Sequence, residues 1–296
     1  MQYDVIAPAA AGRTADPDWI AAWASHVEKC GFDGVVVVEH SVVLAGYESR
    51  YPYAESGRME LANDCDLPDP LELLSFLAGC TSDLGLATGV LVLPNHHPVV
   101  LAKRLATLDA LSRGRLRVCV GLGWMREEIE ACGTDFETRG KRADEQIAVL
   151  RELWASTPPA GASHHGEFFG FMGALSYPKP HRRTGVPVHI GGHTRAAARR
   201  AGRLGDGLQP LGVAGDKLSE LVALMRSEAE RAGRDPESLE LTLGHLVARV
   251  DQERAQRLAD QGAVRLVLAT SATDDLSEAM EELSACAARL GLGGAA

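Results

Sequence analysis

VPVHIGGHTRAAARRAGRLGDG, residues 186–207, holds one complete structural unit: an apolar run from Val186 to Ile190, a Gly191-Gly192 turn, and a helical pattern from Thr194 to Leu204. A helix that starts at Thr194 leaves its first amides without intrahelical partners at the positive end of its dipole. The two glycines let an anion approach the backbone there. Arg195, Arg199, Arg200 and Arg203 add positive charge nearby. Two readings are open: a phosphate grip, or the plain strand-to-helix turn found in any α/β protein. No G-x-G-x-x-G opens a helix near the N-terminus and no G-x-x-x-x-G-K-[ST] occurs, which argues against a Rossmann fingerprint and a P-loop. A phosphate site this late in a chain is where barrel enzymes commonly place theirs.

Outward from this unit the same alternation recurs. Eight strand-like runs are present: Tyr3 to Ala7, Gly34 to Val38, Leu84 to Leu91, Leu116 to Val120, Val186 to Ile190, Gly207 to Leu211, Leu239 to Val247 and Val264 to Ala269. Helical patterns follow them at Pro17 to Cys30, Pro70 to Thr81, Pro98 to Leu111, Arg139 to Trp154, Thr194 to Leu204, Asp216 to Ala232, Gln252 to Gln261 and Asp274 to Leu290. Runs such as VVVV at 35–38 lack polar alternation, as parallel strands buried on both faces do. Eight βα units predict a (β/α)8 TIM barrel in a single domain, 1–296, with an open doubly wound sheet as the structural competitor. Two connections, 41–68 and 156–185, are long and rich in Tyr and Phe, and are expected to be ordered lids at the C-terminal face. The closing GLGGAA is expected to fray.

The net charge of -10 on 296 residues disfavours nucleic acid and points to small-molecule partners. No apolar run reaches the length of a membrane span, and MQYDVIAPAA lacks the basic start of a signal sequence, so a soluble cytoplasmic protein is expected. Six cysteines form no C-x-x-C and read as buried free thiols. His96-His97 are adjacent and have no H-x-H or H-E-x-x-H around them, so no metal site is assigned.

In a barrel, chemistry sits just past the strand ends. Glu39-His40 closes the second run and sets an acid beside an imidazole able to exchange a proton near neutrality; the alternative is a structural histidine on a backbone carbonyl. Thr88-Gly89 lies within the third run, where a glycine signals a bulge or a close ligand. After the fourth run come Gly121 and Gly123, which lower a wall, and Trp124, which closes a pocket or packs. Glu127, Glu128 and Glu130 fall in a first helical turn and read as complements to its dipole. Arg139, Lys141 and Arg142 oppose such a dipole and suggest an anionic partner, Asp144 or a ligand.

Together, CGFDGVVVVEH, DPLELLSFLAGCTSDLGLATGVLVLPNHHPVVLAKRLATLDALSRGRL, VGLGWMREEIEACGTDF, RGKRADEQIAVLRELW and VPVHIGGHTRAAARRAGRLGDG resemble the bacterial-luciferase-like oxidoreductases, particularly the branch assigned to the deazaflavin coenzyme F420. The resemblance runs nearly end to end. It implies a barrel whose mouth holds the ring against Thr88, Gly89, Val90, Gly121 and Gly123, with a cis peptide at Gly89-Val90. It also implies a phosphate held by Gly191, Gly192, His193 and Thr194, and His40 beside the ring as catalytic group with Glu39 as its tuner. The implied activity is F420-dependent hydride transfer to or from a small organic substrate, in a homodimer. A reduced-FMN monooxygenase on the same barrel is the alternative, and a cofactor-free binding protein a second. Trp124 stands where sugar-phosphate dehydrogenases of the family carry a catalytic carboxylate, so that activity is not implied. Asn95-His96, Glu39 and Cys119 also depart from the common pattern, which alters the expected substrate pocket.

Overall fold

The structure is a computed structural model that describes residues 1–59, 61–62 and 64–293. In chain order its elements are β1 (Gln2–Ile6), α1 (Pro17–Lys29), β2 (Gly34–Val37), α2 (Pro70–Cys80), β3 (Gly85–Thr88), β4 (Leu91–Val92), α3 (Pro98–Leu111), β5 (Leu116–Gly121), α4 (Arg126–Ala131), α5 (Arg139–Ala155), β6 (Ala162–His165) and β7 (Gly170–Ala174). There follow β8 (Val188–Gly191), α6 (Arg195–Leu204), β9 (Gly207–Gln209), α7 (Gly215–Arg231), β10 (Glu240–Leu246), α8 (Gln252–Ala259), β11 (Ala263–Ala269) and α9 (Leu276–Leu290). The strands β1, β2, β3, β5, β8, β9, β10 and β11 pair in parallel in that order, and β11 returns to β1. This closes the (β/α)8 barrel.

Local chemistry fixes the helix starts. Asp16 and Asp69 accept hydrogen bonds from the first-turn amides of α1 and α2, each followed by a proline at the first helical position, and Thr194 caps α6 through Ala197 N. Trp23, Leu74, Leu77, Leu105, Ile147 and Leu150 fill the layer between strands and helices. Inside the barrel, Val36, Ala87 and Val267 form a smaller apolar cluster. Asp4 is also buried, and takes hydrogen bonds from Arg117 (2.6 Å) and Arg265 (2.8 Å). His189 is buried on β8, which pairs with the β5 strand of Arg117, and burial, with Arg117 and Arg265 close by, pushes its pKa well below the ordinary imidazole range.

Two features differ from the sequence reading. The run 84–91 is two strands, β3 and the short β4, parted by the cis Gly89–Val90 peptide that the resemblance implied. The helical turn read at 127–130 is the short helix α4, separate from α5. The segment 156–185 folds as the antiparallel hairpin β6–β7 and runs from the C-terminal end of α5 to the start of β8. Glu145 of α5 accepts the Phe168 and Phe169 amides and bonds His164, while the Phe169 ring meets His97 at 5.5 Å. The hairpin thus lies along the outside of α5 with its tip at the rim. Residues 294–296 of the end expected to fray, and Glu60 and Asn63 of the 41–68 connection, lie outside the described residues.

Candidate active site

Two of the three glycines at these strand ends converge on one side chain, Val90. A Cβ on Gly121 would stand 2.5 Å from Val90 Cγ2, a Cβ on Gly191 would collide with Val90 Cγ1, and one on Gly89 with Val36 Cγ1. Val90 therefore lies on a floor that Gly121 and Gly191 leave room for, while Gly89 packs closely on Val36. Thr88, expected to touch a ligand, is fully buried, and its hydroxyl is held between the backbone N and O of Cys119. It ties β3 to β5 beneath the floor. Gly123, at φ +75°, brings the turn close to Ile129 and Val92; its glycine requirement comes from α4 packing. The Cys119 thiol is wholly buried and its pKa is pushed up to about 12 by burial, so it is inert.

Beside the floor stand two interlocked acid–imidazole pairs. His40 Nδ1 lies 2.8 Å from Glu128 Oε2, and His96 Nε2 lies 2.7 Å from Glu39 Oε1, whose other oxygen accepts the Val92 amide. The carboxylate facing His40 is thus Glu128, while Glu39 fastens β4 and His96. Glu128 is 1% exposed and also accepts the Ser41 amide (2.6 Å) and Asn95 Nδ2 (3.2 Å). His97 turns the other way toward Phe169. Among the described residues, no group of three or more His, Cys, Asp or Glu side chains could hold a metal ion.

Above these pairs, Trp124 meets the rings of His40 (5.9 Å), Tyr47 (5.4 Å) and Tyr51 (5.2 Å) edge-on. Tyr53 meets His193 at 5.4 Å. The loop that carries these tyrosines is pinned by Glu127, which accepts the amides of Glu48 (2.6 Å) and Ser49 (3.1 Å) and the Ser49 hydroxyl (2.7 Å). Burial alone would raise the Glu127 pKa, but the Ser49 hydroxyl and the amides of Glu127, Glu48 and Ser49 outweigh it and hold it at about 2.

Opposite lies the start of α6. Gly192 has φ +130° and donates its amide to Gln209 O at 3.1 Å. Thr194 spends its hydroxyl oxygen on Ala197 N, which leaves the first-turn amides of Arg195 and Ala196 with no carbonyl of their own helix to reach. His193 Nδ1 is buried and has no hydrogen-bond partner among the described residues, and its pKa is lowered by burial and by Lys217. Most of the arginine charge read into this cradle goes elsewhere: Arg200 bonds Asp144 and Gly140 O, Arg203 bonds Asp144 (3.1 Å), and Arg199 faces Glu228 (3.9 Å). Likewise Arg139 stacks on Phe136 at 3.4 Å and Arg142 on Phe169 at 4.7 Å. The six cysteines are free, though only Cys119 and Cys286 are buried.

Sequence reasoning read Glu128 only as a complement to a helix dipole and missed its place at the mouth. One usable signal existed: Glu128 adjoins Ile129 on the side of α4 that also buries Met125.

The start of α6, the Val90 floor and the buried acid–imidazole pairs thus stand together at the C-terminal mouth of the (β/α)8 barrel, where barrel enzymes carry their chemistry. Residues 1–290 match the luciferase-like monooxygenase family. The chain belongs to that family, and is thereby an enzyme of oxidation–reduction chemistry. It is 31% identical over 211 residues to an uncharacterized protein of Mycobacterium tuberculosis (strain ATCC 25618 / H37Rv), covering 71% of each chain. It is 28% identical over 233 residues to the F420-dependent glucose-6-phosphate dehydrogenase of Amycolatopsis mediterranei, covering 77% of this chain and 64% of that one. Its fold matches that of an F420-dependent secondary alcohol dehydrogenase solved with an F420-acetone adduct, at TM-score 0.76, 19% identity, and 96% and 97% coverage. Among the described residues, no helix is long and apolar enough to cross a membrane.

Proposed function

We propose that this chain is an F420-dependent oxidoreductase that moves hydride to or from a small organic substrate, working as a homodimer. The observation that carries the reading is the floor: Val90, flanked by Gly121 and Gly191, offers a bed for a planar ring, and a side chain at either glycine would push Val90 out of place. The buried His193 Nδ1, unpartnered among the described residues, and the Gly191–Thr194 turn at the start of α6 fit an anionic tail beside that bed. Relatives named for F420 favour the deazaflavin over FMN.

The deazaflavin, when bound, supplies the hydride chemistry. His40 moves the proton at the reacting oxygen of the substrate, and Trp124, Tyr47 and Tyr51 roof the site and exclude water. Trp124, in place of a carboxylate, makes the pocket apolar. Val100 and Leu111, exposed on one side of α3, support the dimer, whose mass sedimentation velocity would check.

Fluorescence titration with F420 and with FMN tests the reading, with F420 expected to bind in preference. Against a panel of small alcohols and ketones, His40→Ala should keep F420 affinity and lower the hydride-transfer rate by about 10²-fold or more. Preference for FMN, binding of neither ring, or an unchanged rate would each overturn it.

A further inference from the structure

The two oxygens of Glu128 face different neighbours. Among the described residues, Oε1 receives two N–H donors, Ser41 N at 2.6 Å and Asn95 Nδ2 at 3.2 Å, and Oε2 receives only His40 Nδ1 at 2.8 Å. An ionised carboxylate only accepts, so the proton on this imidazole sits on Nδ1. Nε2 is then the nitrogen with a free lone pair, on a ring braced edge-on by Trp124. We propose that Glu128 is the positioning residue of this enzyme: it locks His40 in the Nδ1–H tautomer and so makes Nε2 a proton acceptor toward the substrate.

The step this sets up is a proton transfer. A substrate O–H bond breaks, an Nε2–H bond forms, and the imidazolium produced is held by the Glu128 carboxylate on its other side. The other groups around His40 do not compete for Nδ1. Glu39 is bound to His96 and Val92 N. The Cys132 thiol has its pKa raised by burial, against a bond to Ser41 that lowers it, with Glu128 and Glu39 adding to the rise, and stays neutral. Arg126 points to Glu130 and Glu137.

The proposal rests on His40 being the group that meets substrate, but its tautomer half can be tested without substrate or cofactor. Long-range ¹H–¹⁵N correlation spectra of the whole protein, with His40→Gln to assign the ring, should show a protonated Nδ1 and a bare Nε2 in the wild type. Glu128→Gln keeps the shape. Its amide oxygen must stay toward the donors Ser41 N and Asn95 Nδ2, so its NH2 meets His40 Nδ1, which then has to accept. The proton should move to Nε2, reversing the two ¹⁵N positions, and hydride transfer should fall by about 10²-fold with F420 affinity unchanged.

A wild-type ring protonated at Nε2, or the same tautomer in both proteins, overturns the proposal. So does a reversed tautomer with unchanged turnover. If the wild type does not bind F420, the functional reading fails on its own while the spectra still decide the tautomer.

Discussion

At Gly121 and Gly191 the floor has no room for a methyl group, because Val90 is branched at Cβ and cannot swing aside freely. Gly191→Ala is therefore expected to displace Val90, cost about 1–3 kcal/mol of stability through overpacking, and weaken F420 binding. Gly79→Ala is the matched control: it lies in α2 with open space around its Cβ position, and should stabilise by about 0.5–1 kcal/mol. Urea denaturation of both, with a cofactor titration, checks the pair; equal effects would mean the floor is not crowded. At this scale, Gly89 was legible because a glycine inside a buried run has few other uses. Thr88 was not, because adjacent strand residues point to opposite faces, and only the position of Cys119 shows that its hydroxyl is already spent. Glu128 was opaque for a similar reason: its partner is 88 residues away, and three glutamates in one turn carry the same local signal.

The short helix α4 works as a clasp. Glu127 holds the loop that bears the tyrosines, and Glu128 holds Ser41 and Asn95 on the two preceding connections. The Glu127 pKa is depressed to about 2 from an ordinary value of 4.5, which gives the pH dependence a definite sign. Its contribution is complete above the ordinary value, declines below it, and is gone once the pH has fallen through about 2. Hydrogen exchange at the Ser49 amide should stay protected at neutral pH and lose protection progressively in acid. In Glu127→Gln the protection should be weaker at neutral pH and flat with pH; a wild-type profile that is also flat would count against the clasp. The helices themselves were readable from their aspartate and threonine caps, whereas the destination of the α6 arginines was not. A charged helix face looks the same in sequence whether it meets a ligand or, as Arg200 does, an acid on the preceding helix.

Across the whole molecule, eight repeats of strand and helix made the closed barrel legible, since buried branched runs such as Val35 to Val37 leave little choice but parallel pairing. The polar cluster inside it was hidden, because nothing local marks Asp4, Arg117, His189 and Arg265 as facing one another. His189 is held neutral in the fold but is free to protonate in the unfolded chain. Stability from this site is full above the ordinary imidazole pKa and is lost as the pH falls below it, because the unfolded chain then binds more protons. The thermal unfolding midpoint should accordingly fall as the pH drops from about 7 to about 5, and His189→Gln should flatten that slope; an unchanged slope would place the titration elsewhere. The clasp at α4 also sets a limit on engineering. Residues 41–58 are no free-standing cassette, since their anchors belong to residues 127 and 128. A graft of that loop from a relative with another substrate range would arrive unmoored, and only a transplant that carries 124–132 along with it should bring the donor's selectivity.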